Sequence, residues 1–140
     1  MNESYNRREL RWIAVRLFTT PPAVFGIAGV VFLISEAGAA RSGPFLAQVA
    51  AGLLAVAATA YSLAPVFARL CRRSVVAGCI FGVLACAVGG MVFGITAVLG
   101  YSDFSFGAYV LRPLFWFALC GFPAAAVTGL LFSGAAQRLT

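Results

Sequence analysis

Apolar residues fill four long runs of this chain, at 12–34, 45–67, 75–99 and 113–133, separated by short polar breaks. Each run falls in the window of about 17–25 residues that lets an α-helix cross a hydrocarbon core of about 30 Å. The breaks carry turn formers: Ser35-Glu36-Ala37-Gly38, Arg41-Ser42-Gly43-Pro44, Arg72-Arg73-Ser74 and Gly100-Tyr101-Ser102-Asp103. Lipid leaves backbone groups no partner outside the chain, so an element that satisfies them internally is required, and runs of this length are helices. The pattern predicts an all-α membrane protein: four transmembrane helices in a compact bundle, preceded by a polar segment at 1–11 and followed by a tail at 134–140.

Composition supports that reading. The chain of 140 residues is 62% apolar and 10% charged, against about 45–50% and 25% in soluble domains. Fourteen charged side chains cannot cover a soluble surface of this size. Soluble enzymes, nucleic-acid binders and disordered tails are therefore excluded. The net charge of +6 comes from arginine alone on the basic side, since the chain has neither His nor Lys. With the N-terminus inside, Arg7, Arg8, Arg11, Arg16, Arg69, Arg72, Arg73 and Arg138 fall on the cytoplasmic side, and only Arg41 and Arg112 on the other. That bias predicts cytoplasmic termini. Short loops and the all-arginine cation set lead us to expect a bacterial inner membrane. Asn6-Arg7-Arg8-Glu9-Leu10 resembles a twin-arginine export signal only loosely, and the apolar stretch after it exceeds a signal core, so an uncleaved first helix is expected.

The first run is interrupted by Thr19-Thr20-Pro21-Pro22. Proline removes backbone donors and bends helices, so a helix kinked at Pro21 and Pro22 is expected. The alternative is a separate interfacial helix over 4–19, with Thr20 as N-cap and Pro21 at the first helical position. A span from Pro21 to Ser35 alone is short, which favours the kinked helix.

Small residues recur every fourth position on two helices. The third carries Gly78, Gly82, Cys86, Gly90 and Gly94, and the fourth Gly121, Ala125, Gly129 and Ser133. Such spacing lets helix backbones approach closely in lipid. Close packing inside the bundle is the main expectation, with contact to a second copy or another membrane subunit as the alternative. The second helix offers Ala47, Ala51, Ala55 and Thr59, a weaker stripe on an alanine-rich background.

Reactive chemistry is sparse. Without His or Lys, the usual neutral-pH proton shuttle and amine nucleophile are missing. Cys71, Cys79, Cys86 and Cys120 make no metal or redox spacing. The acids Glu3, Glu9, Glu36 and Asp103 all lie outside the middles of the spans, where a coupled-transport site would need one. Thr59, Tyr61, Ser62, Thr96 and Thr128 are isolated hydroxyls, expected to bond their own helix carbonyls or a neighbouring helix. No catalytic residue, metal site or cofactor is expected. One polar and aromatic cluster remains, on the outer side: Glu36, Arg41, Asp103, Phe104, Phe106, Arg112 and Trp116. It reads as an interfacial belt or, alternatively, as a docking surface for a partner or lipid headgroup. The expected role is a non-enzymatic accessory, assembly or interaction subunit, with lipid and other membrane subunits or its own copies as partners and no nucleic acid. A small homo-oligomeric transporter, channel or lipid-linked flippase is the second expectation.

Overall fold

The computed structural model describes residues 3–37, 39–100, 105–107, 111, 115 and 117–139. Among the described residues the protein is 95% helical, with no strand. Helix α1 spans Glu3–Ala37, α2 Ala39–Cys71 and α3 Val76–Gly100. A π-turn at Phe117–Gly121 leads into α4, Phe122–Leu139. Four stretches, Arg7–Phe32, Gly43–Cys71, Val76–Thr96 and Leu119–Arg138, are long and apolar enough to cross a membrane. Each helix packs along the next in sequence, and α4 closes against α1. The protein is thus a four-helix bundle of the type that resides in membranes.

Two boundaries differ from the sequence reading, and of the two geometries read for the first run the favoured single helix is found. The broad break expected over 35–44 is not a loop: α1 runs to Ala37 and α2 starts at Ala39. Ser35 stays helical by donating its hydroxyl to the Phe32 carbonyl at 2.7 Å. Pro44, the sixth residue of α2, withdraws the donor that the Ala40 carbonyl would use, yet the helix runs through it. The separate interfacial helix over 4–19 also does not form, because α1 continues through Pro21 and Pro22. The prolines leave the carbonyls of Leu17 and Phe18 without α-helical donors. Just before them, the hydroxyls of Thr19 and Thr20 donate to the carbonyls of Val15 and Arg16, at 2.7 and 2.6 Å. Finally, the fourth helix ends at Leu139 rather than near 133, and a π-turn precedes it. Pro123 withdraws the donor that the Leu119 carbonyl would use in an α-helix, and the wider register sits on that side of it.

The turn at Arg72-Arg73-Ser74 is where the sequence placed it. The amides of Arg73 and Ser74 donate to the Leu70 carbonyl at 2.9 and 3.1 Å, closing α2. Ser74 then accepts from Ala77 at 3.2 Å as α3 begins. This turn shares one end of the bundle with the start of α1 and the end of α4. Gln137 ties that end together, donating from Nε2 to the Cys71 carbonyl at 3.2 Å.

The core is built from small residues and four phenylalanines. Leu10, Ala14 and Phe18 of α1 are buried one turn apart, so the polar N-terminal part of the helix is anchored in the bundle. On α2 the buried face is Gln48, Gly52, Val56, Ala60, Ala64 and Ala68, one residue out of register with the stripe read from the sequence. At the centre, Phe81 of α3 stacks on Phe67 of α2, with ring centroids 4.5 Å apart. It meets Phe18 of α1 edge-on at 4.7 Å and Phe132 of α4 at 5.2 Å. Each helix therefore contributes one ring, in the offset and edge geometries aromatic quadrupoles favour.

Candidate functional site

The small residues of α3 and α4 are consumed in contact with each other. A β-carbon on Gly78 would overlap the Gly129 carbonyl, and one on Gly129 would overlap that of Gly78. A β-carbon on Gly82 would overlap the carbonyl of Ala125. A second close approach joins α2 and α3: a β-carbon on Gly52 would lie 3.2 Å from the Gly89 carbonyl oxygen, and one on Gly89 at the same distance from that of Gly52. Gly52 and Gly89 belong to neither stripe picked out in the sequence, although both are glycines in apolar runs, which was the available signal. Gly90 and Gly94 are buried as well. Cys86 and Gly121 are half-buried and serve another feature.

That feature is a cavity of about 570 Å³ between the four helices. Pro21 and Pro22 reach its wall from α1, Gly52 and Val56 from α2, Gly82, Cys86 and Gly89 from α3, and Cys120 and Gly121 from the π-turn. Pairs of glycines make α2, α3 and α4 converge, while the proline pair and the π-turn shape the opposite wall. Phe18, the innermost ring of α1, closes the cavity toward the end that holds the Arg72-Arg73 turn. The lining residues exposed at the surface are Phe25, Ala28 and Phe32 of α1 and Cys120 of the π-turn. The opening therefore lies along the side between α1 and the π-turn.

The wall is chemically uniform. Of the described residues lining it, the polar side chains are the thiols of Cys86 and Cys120 and the hydroxyl of Thr128. Thr128 donates to the Ala125 carbonyl of its own helix at 3.0 Å. Thr96, elsewhere on α3, is tied in the same way to Val92 and Phe93, both at 2.9 Å. These bonds satisfy the hydroxyl protons locally, as expected for sparse hydroxyls in an apolar helix. Cys71, Cys79, Cys86 and Cys120 are all free thiols, and no group of three or more metal-ligating side chains occurs among the described residues.

Toward the arginine-rich end, Arg11 lies over the Tyr61 ring, its guanidinium carbon 4.9 Å from the centroid. Trp12 meets the same ring edge-on at 6.3 Å. Tyr61 is thus a surface platform that joins α1 to α2 through a cation–π contact, a role the sequence did not suggest. Of the outer cluster, Phe106 is 59% exposed. Asp103, Phe104, Arg112 and Trp116 lie outside the described residues, as do the side chains of Glu36 and Arg41. No family model, curated protein or solved structure matches this chain.

Proposed function

We propose that this chain is a non-enzymatic accessory or assembly component of a membrane complex, held in a bacterial inner membrane with both termini in the cytoplasm. The observation that carries this reading is the interior wall: the side chains lining the cavity between the helices include no carboxylate, amide or basic group, and the hydroxyl there is bonded to its own helix. A chain so built acts through what it packs against. Helix α1 offers the most surface for this purpose. Beyond the proline pair, Val24, Ile27, Val31 and Phe32 are each at least 60% exposed, while the glycines of α3 and α4 are occupied within the bundle. The orientation rests on the eight-to-two division of arginines. Affinity purification from native membranes in gentle detergent, with mass spectrometry of the eluate, tests the proposal. A stoichiometric membrane-protein partner is expected; recovery of this chain with bulk lipid alone overturns it.

A second reading, a small carrier or lipid-linked flippase, is favoured by the cavity itself. The side chains of its wall offer no charged or amide group to a hydrated ion or sugar, which favours apolar cargo. Reconstitution into liposomes tests it: accelerated exchange of a labelled lipid between leaflets supports the carrier, and exchange at the protein-free rate removes it.

A further inference from the structure

We propose that the cavity is a binding site for a single hydrocarbon chain of a membrane lipid. This inference holds whether the protein works as an accessory subunit or as a carrier. Three occupants are conceivable for a space of about 570 Å³: nothing, water or an apolar guest. Left empty, the cavity forfeits dispersion contacts on every wall. Water needs two to four polar partners, and the wall supplies two thiols and one hydroxyl already engaged with Ala125. An apolar guest meets neither objection.

The surroundings name that guest. The opening, with Phe25, Ala28 and Phe32 on one side and Cys120 on the other, lies along the last turns of the span Arg7–Phe32 and the first turn of Leu119–Arg138. At that depth the medium is lipid hydrocarbon, so an acyl chain enters sideways without crossing water. A methylene occupies about as much room as a water molecule, about 30 Å³, so the space suits one chain of fatty-acid length. Phe18 closes the inner end, so the headgroup stays on the side away from the Arg72-Arg73 turn.

The test uses the full chain in nanodiscs of phosphatidylethanolamine and phosphatidylglycerol doped with a phospholipid bearing a diazirine in one acyl chain. After irradiation, adducts are mapped by mass spectrometry. Saturable adducts at the cavity wall, around Cys86 and Thr128, are expected, together with non-saturable adducts on outward residues such as Ile80 and Met91. Ala124→Phe and Ala28→Phe, one filling the cavity and one its opening, should each lower the wall adducts about tenfold, the loss expected from excluding about two methylenes. Outward adducts should not change. If a variant fails to fold, competition in the unaltered protein decides: unlabelled phospholipid must reduce wall adducts selectively. A parallel arm with a diazirine-bearing polyprenyl phosphate distinguishes isoprenoid from acyl sources, stronger saturable labelling identifying the chain type. Wall adducts that never saturate with either probe, or that resist competition, overturn the proposal.

Discussion

Gly78 of α3 and Gly129 of α4 touch backbone to backbone, each occupying the space that a β-carbon on the other helix would need. Because lipid removes the hydrophobic drive that holds soluble bundles together, close contact of this kind is a main source of cohesion. Gly129→Val or Gly78→Val should therefore separate the helices and destabilise the fold by about 1–3 kcal/mol or more, the range for overpacking. Gly134, with nothing near its missing β-carbon, is the control. Gly134→Ala should be neutral or stabilising by about 0.5–1 kcal/mol, since helical glycine carries an entropic cost. Unfolding in mixed detergent–denaturant micelles, followed by circular dichroism, separates these outcomes.

Phe81 is fully buried and touches a ring from each of the other three helices. Phe81→Ala should destabilise by about 3–5 kcal/mol if the site cannot collapse. Phe81→Leu should cost less. Leu131, exposed at 57%, offers a comparison: truncating it to Ala should shift stability by no more than about 0.5 kcal/mol, as at other surface positions. The same unfolding assay ranks the three variants.

Arg11 and Tyr61 form a pair that a double-mutant cycle can isolate. Tyr61→Phe keeps the ring under the guanidinium and should leave the coupling largely intact, whereas Tyr61→Ala should abolish it. A coupling of about 0.5–2 kcal/mol is expected for a partly desolvated cation–π contact. Equal coupling to Phe and Ala would remove the ring from the account.

Gln137 crosses from the last turn of α4 to the carbonyl of Cys71, which the end of α2 leaves without a helical donor. Gln137→Ala should cost about 0.5–1.5 kcal/mol and raise hydrogen exchange at the amides of Arg72 to Ser74. Gln137→Glu should not restore the bond, because a carboxylate has no proton to donate. Exchange mass spectrometry on the intact protein reads both.

The number and nature of the helices were legible in the hydropathy pattern, since each apolar run matches a helical span. The α3–α4 contact was legible too, because glycine at four-residue spacing stands out on helices otherwise rich in larger residues. On α2 the same rule selected Ala47, Ala51 and Ala55, whereas the buried face runs through Gly52, Val56 and Ala60. An alanine-rich helix presents small residues in every register, so spacing alone cannot choose the face. The Phe18–Phe67–Phe81–Phe132 cluster was hidden for a related reason: with 13 phenylalanines in the chain, lipid-facing and buried rings look alike in sequence. Ser35-Glu36-Ala37-Gly38 and Arg41-Ser42-Gly43-Pro44 suggested a longer break, but polar residues at a membrane boundary can remain helical, as Ser35 does. The cavity could not be read at all, because it arises from where three glycine contacts stop and a proline pair begins.

The proposed role depends most on the face of α1 beyond Pro22. A photoreactive amino acid placed at Val31, 62% exposed, and separately at Ile80, 56% exposed on α3, tests it in native membranes. Cross-linking from Val31 should yield one discrete protein adduct, identical to the partner recovered by affinity purification, with no such adduct from Ile80. Lipid adducts alone at both positions, or the same mixture of proteins from each, would contradict the assignment of this chain as a membrane-complex component.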